Sequence, residues 1–98
     1  MLSDKSADGT SFHDDVIVTT FNKLVDVIGY PQIADNTGED KSNYDWNCET
    51  DEGIVFTIYD WKEYRPIDDD EEIEWHIGAH DAFKSVAAYK YMESLLSE

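Results

Sequence analysis

Basic residues are scarce in this chain. Seven Lys and Arg stand against 23 Asp and Glu, a formal charge of −16, or about one net negative charge for every six of the 98 residues. A polyanion without a basic patch repels phosphates instead of releasing their counterions, which excludes nucleic acid as a direct partner. An anionic membrane surface is excluded on the same ground. No stretch approaches the roughly 18 consecutive apolar residues of a membrane span, and the opening Met1-Leu2-Ser3-Asp4-Lys5 carries no apolar run, so neither a span nor a secretory signal is expected. The one cysteine, Cys48, has no partner for an intramolecular disulfide, which fits a reducing compartment.

What is present is enough to fold. The 13 aromatic side chains and the many β-branched residues set the chain apart from disordered acidic tails, and at this length they build one modest core. Residues 1–10 are small and polar and read as a flexible leader. From Ser11 onward a helix is predicted: Ser11 and Asp14 resemble a capping box, Ile17, Phe21, Leu24, Val25 and Ile28 recur at helical spacing, and Gly29 and Pro31 end it. After a loop-like stretch over 32–42 the period drops to two. Three strands are expected: one carrying Tyr44, Trp46 and Cys48 on one face, one over 54–61 with apolar residues on both faces, and one over 72–77 with Ile73, Trp75 and Ile77 facing inward.

Gly78 is expected to break the last strand, and Asp81 to cap a closing helix from Ala82 to Leu96. Residues 11–98 are thus expected to form a single α+β domain, α-β-β-β-α, with a three-stranded antiparallel sheet packed with two helices. The apolar residues of the closing helix are not cleanly segregated: Ala82, Val86, Tyr89 and Leu96 share one side, and Phe83, Ala87, Tyr91 and Leu95 decorate the next. Either that second face packs under the first helix, or it meets a second copy in a homodimer through the C-terminal helix.

The charge is concentrated. Residues 35–74 hold fifteen acids and three bases, a net of −12, against −4 in the rest of the chain. With Ile73, Trp75 and Ile77 in the core, Glu72 and Glu74 project to solvent beside Asp45, and alternate strand residues lie about 6.8 Å apart. Phosphates on one DNA strand are spaced by about 3.4 Å along the axis, the same order. An acidic sheet face edged by Asp68, Asp69, Asp70 and Glu71 and by the turn carrying Glu49, Asp51 and Glu52 can present a phosphate-like field to a cationic groove. The alternative is a solvated surface tuned for solubility or salt. Tyr59, Trp61 and Tyr64, next to Arg65, are aromatics among acids, as in interface anchors, the alternative being a second layer of core under the 62–71 loop. Tyr44, Trp46, Phe56, Trp75 and Phe83 are expected in the core.

Other chemistry is weakly indicated. Asp68, Asp70 and Glu72 suggest a calcium loop, but Ile73 stands where its glycine belongs and Ala79 where its bidentate glutamate belongs. His76 and His80, with Cys48 as a third ligand, are interrupted by Gly78, so no metal or cofactor is expected. Glu72, Glu74 and Asp60 offer acid–base pairs, but no nucleophile elbow or phosphate loop accompanies them, and no enzyme is expected.

Phe56-Thr57-Ile58-Tyr59-Asp60-Trp61-Lys62 followed by Glu74-Trp75-His76-Ile77-Gly78 resembles the strands of small acidic accessory proteins of tailed bacteriophages, over about residues 53–82. The resemblance implies a viral accessory protein in the host cytoplasm, similar in size and charge to DNA-mimic inhibitors of restriction enzymes, Cas effectors or repair nucleases. The expected function is therefore that of a non-enzymatic, anti-CRISPR or anti-restriction type inhibitor. Its partner is a basic nucleic-acid-binding host protein, and Asp45, Glu49, Asp51, Glu52, Tyr59, Trp61, Tyr64, Asp68, Asp69, Asp70, Glu71, Glu72 and Glu74 form the contact. The alternatives are an immunity-type protein covering a basic nuclease active site and a structural accessory protein of the virion.

Overall fold

Residues 16–20 are all β-branched, Val-Ile-Val-Thr-Thr, and such side chains favour extended chain over helix. This local preference overrides the helical spacing that begins at Ile17. The computed structural model describes residues 2–39 and 42–97. Ser11–Thr19 is a strand, β1, and the first helix, α1, covers only Phe21–Ile28. The expected helix from Ser11 is corrected accordingly. Ser11 caps nothing; the cap is Thr20, whose hydroxyl accepts the Lys23 N–H. Asp14 sits in the left-handed region, at a break in β1 register between Phe12 and Val16 that marks a bulge. The helix does stop where expected, at Gly29 with φ of 95°.

Four more strands follow, β2 (Ile33–Ala34), β3 (Tyr44–Glu49), β4 (Val55–Tyr59) and β5 (Ile73–Ala79), and then α2 (Ala82–Leu96), capped by Asp81 as expected. The fold is α+β, but the sheet has five strands in the order β1-β5-β4-β3-β2, every neighbour antiparallel, in place of three. The element order α-β-β-β-α is thereby corrected to β-α-β-β-β-β-α. Gly78 does not end β5. It lies within the strand, where a Cβ would come within 2.5 Å of Thr57 Oγ1 on β4. Glycine is there to let two strands and their side chains approach.

Both helices lie on one face of the sheet. That inner face buries Ile17, Ile73, Trp75, Ile77, Phe56, Ile58, Tyr44, Trp46 and Cys48. Trp46 and Trp75 meet edge to face at its centre, with centroids 5.4 Å apart. Their indole N–H groups bond the two ends of α1: Trp75 donates to Thr19 O at 3.0 Å and Trp46 to Gly29 O at 2.8 Å. On α2 the buried positions are Ser85, Ala88 and Met92, so the helix is rotated from the stripe of Ala82 and Val86. Phe83, expected in the core, is 83% exposed and is corrected to the surface. Ser85, whose hydroxyl donates to Asp15 of β1 at 2.6 Å, concealed the true inner face by being polar.

Residues 2–10, expected to be a flexible leader, are tied to the sheet at several points. Leu2 bridges to Cys48, Ser3 N–H donates to Asn47 O at 2.8 Å, and Lys5 pairs with Glu49 at 2.8 Å. At the other end of β3, the buried Asp60 carboxylate accepts the backbone N–H groups of Asn43 and Tyr44 at 2.8 to 2.9 Å. This clamp joins the exit of β4 to the entrance of β3. Asp60→Ala leaves both donors unsatisfied in the interior, at about 1–3 kcal/mol each. The expected loss is about 3 kcal/mol of unfolding free energy in urea titration, and an unchanged midpoint would contradict the clamp.

Candidate functional site

The loop over 60–72 is long and highly charged, yet it is built. Asn36 grips Ile67 in both directions, accepting its N–H at 2.7 Å and donating to its carbonyl at 3.0 Å. Asn43 Nδ2 donates to Arg65 O at 2.9 Å, and Asn22 donates through its backbone to Asp69 O and through Nδ2 to Asp70 Oδ1 at 2.7 Å. Ile67, buried beneath, anchors the loop to the core. Gly38 lies where a Cβ would meet the Arg65 backbone, so the 35–39 loop packs against the same segment. The result is an open depression of about 650 Å³ lined by Asn36, Ile67 and the acids Asp68, Asp69, Asp70 and Glu71.

Glu71 is not free within this run. Arg65 makes two hydrogen bonds to it, at 2.8 and 2.6 Å, and holds its carboxyl below the ordinary value. Asp68, Asp69, Asp70, Glu72 and Glu74 are exposed. Trp61 and Tyr64, at 41% and 55% exposure, stand at the start of the same loop.

The expected acidic ladder is not continuous. Asp45 faces Tyr59 across the β3–β4 pairing, and Tyr59 faces His76 across β4–β5, so two interstrand steps of about 4.8 Å separate Asp45 from β5, the strand of Glu74. Aromatic rings fill that gap. His76 is stacked by Phe12 at 4.0 Å and touched by Tyr59 and Trp61 at 5.6 and 6.2 Å. Burial pushes the His76 imidazole below its ordinary value, against the opposing pull of Glu74. Asp51 and Glu52 occupy the β3–β4 turn, separated from the 68–72 run by the length of β4, about 17 Å. Glu49 is engaged by Lys5 and Ser3, which lower its carboxyl. The structure therefore gathers Asp68 to Glu72, Glu74, Trp61 and Tyr64 at one end, sets Asp45 and Tyr59 on the open face, and leaves Glu49, Asp51 and Glu52 at the far end.

Other candidates part company too. Asp60 shares the inward parity of Phe56 and Ile58, whereas Glu74 pairs outward with Val18, so the two carboxylates lie on opposite faces. Cys48 is on the inner face, fully buried, its thiol pushed up to about 12 by burial, while His76 is on the outer one. Among the described residues no three His, Cys, Asp or Glu side chains gather to hold a metal, and no helix is long and apolar enough to cross a membrane. Sequence reasoning missed Phe12, concealed inside a supposed helix cap, and Asn47, concealed among polar alternates. The parity of Asp60 with Phe56 and Ile58 was a usable signal for its burial.

Asp45 is the unusual carboxylate. It is half-buried on the outer face and makes no side-chain hydrogen bond or ion pair among the described residues. Burial, reinforced by Asp60, pushes its pKa from 3.8 up to about 6. A raised carboxyl means that the folded state holds the proton more tightly than the unfolded one. Stability from this group is therefore complete below about pH 4 and is lost as pH rises through about 6. Asp45→Asn should accordingly raise unfolding free energy at pH 7.5 by about 1 kcal/mol, after discounting for solvent screening. The gain should vanish at pH 4, and urea denaturation of both proteins at the two pH values checks it; an equal difference at both would reject the desolvated carboxylate. No protein-family model, curated protein or solved structure matches the chain.

Proposed function

We propose that the protein is a non-enzymatic inhibitor that engages the basic nucleic-acid groove of a host defence or DNA-processing protein. One observation carries the reading. Among the described residues only Glu49 and Glu71 have ion-pair partners, while the 68–72 acids stand on a loop whose backbone is held at Arg65, Ile67 and Asp69 by Asn43, Asn36 and Asn22, and the Asp70 carboxylate accepts a bond from Asn22 as well. A loop whose backbone is already ordered loses little further backbone entropy when its carboxylates meet a cationic surface, which separates a recognition surface from a merely solvated tail. Their uncompensated field also accelerates encounter with a cationic cleft.

The contact surface is narrower than the full acidic stretch. It comprises Asp68, Asp69, Asp70, Glu72 and Glu74, with Trp61 and Tyr64 as aromatic anchors and Arg65 holding Glu71 in place. The resemblance to phage accessory proteins makes a restriction enzyme, Cas effector or repair nuclease the natural target.

The immobilised chain, exposed to lysate of infected cells, should retain a basic protein that a groove-length DNA duplex displaces. Raising salt from about 0.05 to 0.5 M should slow its association strongly as screening contracts to a few Å. Replacing Asp68, Asp69, Asp70, Glu72 and Glu74 together by Asn or Gln should abolish retention with an unchanged circular dichroism spectrum. Retention by that variant would reject this surface. Displacement by a short substrate analogue and not by duplex would favour the immunity-type alternative.

A further inference from the structure

The outward side of α2 departs from the acidity of the rest of the chain. Between Ala82 and Leu96 stand two bases, Lys84 and Lys90, and one acid, Glu93, a net of +1 in a molecule of −16. On the side opposite the buried Ser85, Ala88 and Met92, steps of four, three and four residues bring Phe83, Ala87, Lys90 and Ser94 onto one stripe. Of the apolar residues on this side of the helix, Tyr91 and Leu95 pack against the core, whereas Phe83 projects into solvent at 83% exposure, with Val86 beside it at 44%.

The same stripe carries a hollow. Ala87, Lys90, Tyr91 and Ser94 form, with Thr50 and Glu52 of the β3–β4 turn, an open recess of about 370 Å³. Ala87 and Ser94 are short side chains, so the stripe is low there and tall at Phe83. Phe83 and Lys90 are seven residues apart, which is about 10.5 Å along the helix axis. Knob and hollow thus lie on one helix, two turns from each other, and this is the arrangement a twofold axis requires. Laid antiparallel about a point level with Val86 and Ala87, a second α2 sets each Phe83 into the recess of the other. A surface that complements itself in this way fits an isologous contact between copies of one chain.

Charge agrees with that register. Phe83 comes level with Lys90 of the second copy, whose ammonium can lie over the ring, Val86 with Ala87, Asp81 with Met92, and Glu93 with His80, so no acid is set against an acid. Lys84 and Tyr91, seven residues apart, share a side of the helix, which brings Lys84 of the second copy beside Glu52 on the rim of the recess. Neither Lys84 nor Glu52 has an ion-pair partner among the described residues. We propose that α2 is the interface of a symmetric homodimer, in which Phe83 of each chain fills the recess beside Ala87 of the other and Lys84 pairs with Glu52 across the contact. Repulsion between the distant charges of the two copies is screened beyond about 8 Å at physiological salt. The β3–β4 turn lies at the end of the sheet away from the 68–72 loop, so the dimer carries two acidic loops clear of its own contact. No residue of the 68–74 surface takes part, and the dimer stands or fails independently of the inhibitor reading.

The test is sedimentation equilibrium of the full chain at concentrations from about 1 to 500 μM in about 0.15 M salt. A contact between two helices of about four turns lies at the low end of specific interfaces, so the expected dissociation constant is on the order of 100 μM. Phe83→Ala should weaken dimerisation by about tenfold or more while leaving the melting temperature of the dilute monomer unchanged, because the ring is exposed there. Glu52→Lys and Lys84→Glu should each weaken it by about threefold, and the double exchange should restore the parent affinity within about twofold. That rescue requires the register given above and would not follow from loss of fold. A chain that stays monomeric to the highest concentration, a dimer indifferent to Phe83→Ala, or a double exchange no tighter than either single one would each overturn the proposal. A monomeric chain that holds a foreign protein through Phe83 would assign the recess to that protein and overturn it equally.

Discussion

The fold depends on two indoles. Trp46 and Trp75 touch edge to face at the middle of the inner sheet surface, and each sends its N–H to one end of α1. A helix of eight residues is too short to hold itself together, because nucleation costs more than so few bonds return. Here its entry and exit are bonded to adjacent parts of one rigid sheet, and Phe21 packs on Tyr44 and Trp46 beneath it. The indoles thus do two things with one side chain each: they bury large apolar surface, and they bond the carbonyls that flank α1 on either side. A chain with sixteen net negative charges needs this density of burial, since self-repulsion opposes every step of compaction.

The elements legible in the sequence were those whose local and tertiary preferences agree. β3 alternates cleanly, α2 has a capping Asp81 and a run of helix formers, and α1 ends at a glycine that takes a positive φ. Illegibility arose where two periods coincided. Ile17 fits a helical series with Phe21 and Leu24, and it does face the same core as they do, but from a strand that turns into the helix at Thr20. Without β1 the sheet lacks an edge, and Phe12 has no reason to lie over His76. Gly78 was ambiguous in the opposite direction. A glycine before a helix reads as a break, yet this one is demanded by Thr57 across the strand, a contact that only pairing reveals.

For the candidate surfaces, charge was legible and geometry was not. The acidity of residues 68–72 is plain in composition, but the asparagines that shape the loop come from α1, from the 35–39 loop and from the start of β3, none of which is near it in sequence. Likewise Asp45 and Asn47 look like two polar alternates of an ordinary half-exposed strand. Only the segment over 3–8, laid back along β3, covers them in part. Burial of this kind depends on chain crossings that no local pattern encodes.

Outward and inward carboxylates therefore carry different meanings in this molecule. An acid on the 68–72 loop remains hydrated, so it adds little cost beyond general repulsion and acts at long range, where it alters rates of encounter more than their outcome. Asp45 is half-buried, lies within a strongly negative molecule and has a raised pKa with no hydrogen-bond or ion-pair partner among the described residues. Solubility is served just as well by an acid on the surface, so solubility gives no reason to keep a carboxylate there. Beside it, the buried Asn47 oxygen has no hydrogen-bond partner among the described residues, because its own amide nitrogen is turned to Lys5 O. Each costs free energy in the folded chain, a half-buried carboxylate in one case and an amide oxygen sealed from water in the other. Desolvation is thus what separates the two kinds of acid: at Asp45 it is a cost to the fold that grows as the group ionises, whereas on the hydrated 68–72 loop the same charge acts as a long-range field.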